Sequence, residues 1–192
     1  EIRLSLVGSE MCIRDSFYPD RPEAQRAAAK FTLVWGAGDA ALVAAAVLLW
    51  TAFGTADLAA MTEAAAGGLP LTAQIAVGLL VLTAALKTAS FPLHGWLTEV
   101  MEAPTPVSAV RHDGIINAGG FLMIRLAGLV QESSGAMAAL VMLGGFTALF
   151  GAAVMLTQSA VKTALAWSTV AQMGFMLLQC GLGLWALALL HI

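Results

Sequence analysis

Charged residues are scarce in this sequence. They make up only 11% of the 192 residues, whereas hydrophobic residues make up 59%. A soluble domain carries about 25% charged residues, and this chain has too few polar groups to cover the surface of a water-soluble protein of its size. The composition therefore predicts an integral membrane protein. The net charge of −3, without a basic patch, argues against nucleic acid as a partner.

Cysteine and histidine are also rare, with 2 and 3 copies. Cys12 falls in the N-terminal segment that is set aside below, which leaves only Cys180, so we expect no disulfide within the chain. The histidines lack the spacing of metal ligands. The sequence has no glycine-rich phosphate loop, no Ser/His/Asp constellation and no haem or flavin signature. We therefore expect no cofactor, no metal and no catalytic or redox site in this chain.

The N-terminal segment LVGSEMCIRDS, residues 6–16, is unlike the rest of the chain. It has no apolar period, and it is too short and too charged for a signal peptide. All of its residues can be encoded by the adapter used in transposase-based DNA sequencing libraries. We interpret residues 1–16 as a sequencing-adapter artefact; the alternative is a natural N-terminus. Residues 17–192 are then expected to form part of a transmembrane domain truncated at both ends.

Apolar runs long enough to cross a bilayer follow one another along the remaining chain. They predict an all-α, polytopic transmembrane bundle of about five to six helices, since about 20 apolar residues span the bilayer core. Phe91-Pro92 ends the second run, because proline disfavours helix in the preceding residue. Residues 92–103 are too short to span and suit either a second half-helix or a tilted interfacial piece; the predicted bundle includes a discontinuous helix at this point. The predicted helices are 31–53, 71–90, 104–130, 136–157 and 162–181, with a sixth from Leu184.

Ionisable residues fall inside or beside these predicted helices, where they are costly and are functional candidates. Lys87 is the one next to the predicted break. Burial disfavours the charged form of a lysine and a nearby carboxylate favours it, so a lysine there can exchange a proton as its neighbour moves. The other candidates are Asp39, His94, Arg111, His112, Asp113 and Lys162.

Structural explanations stand beside these functional ones. Asp39 is also compatible with a static polar contact between helices, and Lys87 with snorkelling to the membrane interface. Lys162 is also explained as a positively charged anchor on the cytoplasmic side, and His94 as an interfacial residue. The residues alone leave these alternatives open.

A longer motif resembles a known family. The stretch ALKTASFPLHGWLTEVMEAPTPVSAV, Ala85 to Val110, resembles the core of the antiporter-like subunits shared by respiratory complex I and Mrp-type sodium/proton antiporters. In that family a lysine on a discontinuous helix precedes the FPLH segment, and a histidine lies on the next helix. The resemblance implies that Lys87 is the central proton-relay lysine and that His112 follows it in the relay. The supporting residues of the motif are Pro92, His94 and Glu102.

Two further stretches extend the resemblance. VKTALAWSTVAQMGFM, residues 161–176, resembles the next motif of the family and implies a second relay lysine at Lys162. The family's in-membrane aspartate falls at Asp39, where it would modulate the charge of the relay. One departure is that Arg111 and Asp113 flank the histidine where the family has apolar or small residues. They either pair with each other or are sequence errors.

Within the family, HGWLTEVMEAPTPVSA and AWSTVAQMGFMLLQCGLG look most like DabB subunits. The resemblance implies a proton-translocating subunit of CO2/bicarbonate uptake in the bacterial inner membrane, with protons, or sodium, as its cargo. It also implies a DabA-like, carbonic-anhydrase-like partner, to which the zinc would belong. The alternatives are a proton-pumping NADH-quinone oxidoreductase subunit 5/L, an Mrp-type antiporter subunit, and a non-conducting membrane scaffold. Any NADH oxidation would belong to a whole complex.

Overall fold

The computed structural model describes residues 22–99 and 115–191. All regular structure in these ranges is helical, which confirms the predicted all-α class. The helices are α1 Pro22–Phe53, α2 Leu58–Ala65, α3 Leu71–Lys87, α4 Gly95–Glu99, α5 Ala118–Arg125, α6 Ala127–Gln131, α7 Ser134–Met155, α8 Val161–Gly181 and α9 Trp185–Ala188, followed by a 3₁₀ turn, Leu189–His191.

Two of these helices are long and apolar enough to cross a bilayer, over Gln25–Phe53 in α1 and throughout α7, and α3 is a shorter apolar helix. One face of α1 is buried against the other helices, including Phe31 and Leu49, while Leu33 and Val47 on other faces are exposed. An apolar side chain exposed on an apolar helix is the arrangement expected where the helix borders lipid.

The second predicted helix ends at Lys87, and its predicted end at residue 90 was wrong. Thr88 is the C-cap, and Ala89 follows in the left-handed region with φ 51°. The Ser90 N–H then donates to the Ala85 carbonyl at 3.2 Å, and its hydroxyl donates to the same oxygen at 2.8 Å. A left-handed residue and a bond of this spacing are features of the Schellman motif, and they turn the chain out of the helix. The helix therefore ends before the proline.

The predicted discontinuous helix is confirmed in the described residues. After α3, the chain turns through 91–94, with a cis peptide bond between Phe91 and Pro92, and α4 begins at Gly95. The turn is held to α7, because the Phe91 N–H donates to the Thr147 hydroxyl oxygen at 3.1 Å. A non-helical backbone segment at membrane depth requires such partners within the protein.

The α7 and α8 helices make the most extensive helix pair in the described chain. Glycines allow the two backbones to approach closely. A Cβ at Gly174 would contact the Ala148 backbone nitrogen, and a Cβ at Gly151 would lie 2.9 Å from the Ala171 nitrogen. Small residues at a helix crossing are typical of membrane bundles, in which close backbone packing drives helix association.

Other elements also differ from the predicted ones. The first helix begins at Pro22 and not at residue 31, and the helix predicted from Leu184 is represented by the short α9 and the 3₁₀ turn. The connection between the first two long helices contains α2, which begins after Asp57, whose carboxylate accepts a hydrogen bond from the Ala59 N–H at 3.1 Å. The predicted helix 104–130, where the structure describes it, is divided into α5 and α6 at Leu126. The division brings α6 against α2, where a Cβ at Gly128 would contact Thr62.

Candidate functional site at the helix break

Lys87 and Asp39 form an ion pair at the end of α3. The Lys87 Nζ donates a hydrogen bond to Asp39 Oδ1 at 2.7 Å, and the two residues lie on α3 and α1. The lysine side chain is 11% exposed, whereas that of the aspartate is 45% exposed. Asp39 is therefore the member of the pair that a further charged group, or water, reaches first.

Close packing between α1 and α3 brings the pair together. Gly38 is buried, and a Cβ at this position would lie 3.6 Å from side-chain atoms of Leu86 and Lys87. The Thr83 hydroxyl lies 2.9 Å from the Leu79 carbonyl oxygen of its own helix and 3.3 Å from the Gly38 carbonyl oxygen across the interface, so its one proton is shared between these two acceptors. The lysine stem thus lies along α1 beside Gly38, at a distance of ordinary van der Waals contact from an added methyl group.

The end of α3 also favours a cation at this position. Lys87 is the last residue of the helix, and the carboxyl end of a helix carries a partial negative charge. The Asp39 carboxylate and the helix end therefore both attract the ammonium group of the lysine.

An aromatic cluster adjoins the pair. Phe31, Trp35 and Asp39 follow one another at one-turn spacing on α1, so they share a face of that helix. Trp35 lies under the lysine, with Nζ 4.4 Å from the ring centroid. Its ring contacts Phe31 at 5.3 Å and Trp96 of α4 at 6.1 Å between centroids.

His94 lies on the other side of the break. Its ring stacks on Phe91 at 5.7 Å and contacts Phe150 of α7 at 5.6 Å and Trp167 of α8 at 5.1 Å. Its Nδ1 is buried and has no hydrogen-bond partner among the described residues. The structure therefore places this histidine between α3 and the α7–α8 pair, within the protein.

The other predicted site residues are distributed as follows. Lys162 is exposed in the first turn of α8, and Pro92 is exposed in the turn at the break. Glu102, Arg111, His112 and Asp113 lie outside the described residues, as do residues 1–16. Their predicted roles stay predictions, as do the relay roles of Lys87, Asp39 and Lys162.

Sequence reasoning missed two contributors to this site, Trp35 and Thr147. Trp35 precedes the aspartate by one helical turn, and this spacing is the signal that could have identified it. Thr147 gives no comparable signal, because only the folded chain brings it to the break. Within 22–99 and 115–191, no three His, Cys, Asp or Glu side chains are grouped as a metal ion requires.

Together these features define a class of protein: a polytopic helical membrane protein with a lysine–aspartate pair at a broken helix. Residues 4–192 match the family of the NADH:quinone oxidoreductase/Mrp antiporter transmembrane region. The chain belongs to this family, which confirms the predicted family and the integral membrane location.

The named relatives include both branches considered above. The chain is 45% identical over 179 residues to the probable inorganic carbon transporter subunit DabB2 of Halothiobacillus neapolitanus, covering 92% of this chain and 32% of that protein. It is 36% identical over 193 residues to NADH-quinone oxidoreductase subunit L of Mycobacterium tuberculosis, covering 97% and 30%. The chain thus spans about a third of the length of these relatives.

A solved structure shares the fold. The Mrp complex from Dietzia sp. superposes with a TM-score of 0.80 and 31% sequence identity, over 85% of this chain and 18% of that one. The chain is therefore an antiporter-like membrane subunit with similarity to DabB proteins, as its motifs predicted.

Proposed function

We propose that this chain is part of a proton-translocating subunit of an inorganic-carbon uptake system, with Lys87 as its central relay residue. The observation that carries the proposal is the Lys87–Asp39 ion pair, which lies at a helix break between largely apolar helices. The similarity to a protein named as a probable inorganic carbon transporter subunit supports inorganic carbon as the substrate that the whole system takes up.

The pair can move a proton by a change in its separation. While Asp39 contacts Lys87, the ammonium group is paired with a carboxylate oxygen at 2.7 Å. In the proposed mechanism, the lysine passes its proton on after the two side chains separate. The structure fixes the lysine at the end of α3, so the separation requires movement of side chains or of α1, not unfolding of the helix.

The remaining relay residues are part of the proposal. Lys162 would receive the proton further along the bundle, and His112 would link the two lysines. His94 lies between the break and α8, where its ring contacts Trp167 on the helix that carries Lys162. The partner would be a zinc-containing, carbonic-anhydrase-like subunit, and the membrane would be the bacterial inner membrane.

Complementation tests this proposal. The full-length gene and that of its partner are expressed in a carbonic-anhydrase-deficient bacterial strain, and growth is scored in ambient air. We expect rescue by the wild type and by Arg26→Ala, an exposed charge on α1, but not by Lys87→Ala at equal membrane abundance. Rescue by Lys87→Ala would refute the relay role of this lysine.

The same experiment separates a non-conducting scaffold from a relay. A scaffold needs helix packing and not the lysine, so it predicts that Lys87→Ala is active and that Gly119→Val is inactive. A Cβ at Gly119 would lie 2.7 Å from the Ala84 carbonyl oxygen and 2.6 Å from the Thr88 methyl group. Loss of function in Lys87→Ala, with the protein still inserted and bound to its partner, contradicts the scaffold.

A second candidate function is that of a respiratory or antiporter subunit. The structural likeness to the Mrp complex and the similarity to subunit L favour it. It predicts that the wild type, although both subunits are expressed, does not rescue growth in air. Gene order gives an independent check, since a neighbouring gene for a large zinc protein favours carbon uptake and a run of complex I genes favours respiration.

A further inference from the structure

We propose that Trp35 is a positioning residue for Lys87. The aromatic face of Trp35 holds the lysine ammonium group at the helix break while the Asp39 carboxylate moves away from the lysine and returns. This inference rests on the proposed relay function of the lysine. The Lys87 Nζ lies 4.4 Å from the centroid of the Trp35 ring and 2.7 Å from Asp39 Oδ1. The cation is therefore held between an aromatic face and a carboxylate that are one turn apart on α1.

The orientation of the Trp35 ring is set by its neighbours. Phe31, one turn earlier on α1, packs at 5.3 Å with the ring planes 30° apart, and Trp96 of α4 packs edge-on at 6.1 Å with an angle of 90°. Phe31 and Trp96 also contact each other at 5.4 Å. Three mutually packed rings give the indole little freedom to turn away from the lysine.

The indole N–H does not explain this placement. The Trp35 Nε1 atom is buried and has no hydrogen-bond partner among the described residues. A buried tryptophan usually forms a hydrogen bond through this N–H. Here the polar contact of the side chain is made by the ring face, with the lysine ammonium group. Tryptophan is also the aromatic side chain that attracts a cation most strongly.

An aromatic face differs from a carboxylate in a way that suits a relay. It attracts the charged lysine but cannot accept a proton from it, whereas Asp39 does both. It also distinguishes the two protonation states, because the attraction of the ring quadrupole is lost with the charge. Trp35 thus keeps the charged lysine in place when the aspartate moves away, without competing for the proton.

Fluorinated tryptophans test the role of the ring face. They are placed at position 35 of the full-length protein, co-expressed with its partner, and uptake of ¹⁴C-labelled inorganic carbon is measured. Successive fluorines weaken the ring quadrupole with little change in shape. We expect the logarithm of the uptake rate to fall with each fluorine, by about 5- to 30-fold in total, as for a desolvated cation–π contact.

Two further substitutions keep the test specific. Benzothienylalanine at position 35 retains the flat ring and lacks the N–H, so we expect it to support uptake. The same fluorinated series at Trp50, which is 64% exposed on α1 and lies roughly 22 Å further along the helix axis, is expected to change nothing. Both variants are compared at equal membrane abundance.

The outcomes separate this inference from the proposed function. If Lys87→Ala transports normally in the same assay, the relay function fails, and the role of Trp35 fails with it. If Lys87→Ala is inactive but fluorination at position 35 leaves the rate unchanged, the relay stands and the positioning role is overturned. A loss with benzothienylalanine and none with fluorine would show that the N–H, not the ring face, is what matters.

Discussion

Gly144 and Gly145 are neighbours on α7, but they have different surroundings, and a methyl group should therefore have opposite effects at the two positions. A Cβ at Gly144 would contact the backbone of α8, including the Leu178 nitrogen, with the Gly174 carbonyl oxygen at 2.7 Å. A Cβ at Gly145 would meet only the end of the Leu178 side chain, at 3.8 Å. There is room for alanine at the second position and none at the first.

The expected magnitudes follow from two opposing effects. Alanine is favoured over glycine inside a helix by about 1 kcal/mol. Overpacking costs typically about 1–3 kcal/mol, and the atoms at Gly144 are backbone atoms that cannot move aside alone. The upper part of the overpacking range, about 2–3 kcal/mol, therefore applies at Gly144. After the helix-propensity gain of about 1 kcal/mol, we expect Gly144→Ala to lower the free energy of unfolding by about 1–2 kcal/mol, and Gly145→Ala to raise it by up to about 1 kcal/mol.

Unfolding of the full-length protein in mixed micelles, titrated with sodium dodecyl sulfate and followed by tryptophan fluorescence, measures both variants against the wild type. The midpoint should fall for Gly144→Ala and stay or rise for Gly145→Ala. Equal midpoints for the two variants would refute the reasoning, because they would show that α7 and α8 do not approach as closely at Gly144 as the structure places them.

Two predictions concern the turn after α3. Ala89→Val should destabilise the protein by about 1–3 kcal/mol, because the two added methyl groups overpack this fully buried position and a β-branched side chain is disfavoured at positive φ. Ala89→Gly is the control, expected within about 1 kcal/mol of the wild type, and equal effects would contradict the prediction. Thr147→Val should cost about 1–3 kcal/mol, because it leaves the Phe91 N–H without its acceptor; Thr147→Ser keeps the acceptor, and an equal loss in the serine variant would show that the hydrogen bond is not the cause. Thermal unfolding of the purified protein checks both.

The helices could be predicted from the sequence because apolar length is a strong signal in a membrane protein. The fifth predicted helix, 162–181, agrees closely with α8, Val161–Gly181. The ends of the helices were harder to predict from the sequence, because short-range hydrogen bonds determine where each helix ends. Neither the turn at Ala89 nor the division at Leu126 involves glycine or proline, and these are the residues on which such predictions depend.

The candidate site could be predicted from the sequence only in part. Lys87 and Asp39 are ionisable residues in apolar helices, so each is conspicuous by itself, but the sequence does not show that they touch. Their contact depends on how α1 and α3 pack against each other in the folded chain. Trp35 was missed because an aromatic residue in an apolar helix is common, and only its position beneath the lysine makes it a candidate.

Hydrogen bonds within the protein hold the helix break after Lys87 in place. Inside a membrane, a turn out of a helix leaves backbone groups that water cannot satisfy. Here the Ser90 N–H and hydroxyl bind the Ala85 carbonyl, and Thr147 accepts from the Phe91 N–H. Because these bonds hold the turn, the end of α3 is a fixed point. In the proposed relay, Lys87 and the half-exposed Asp39 would therefore separate by movement of their side chains or of α1, and not by remaking the helix end.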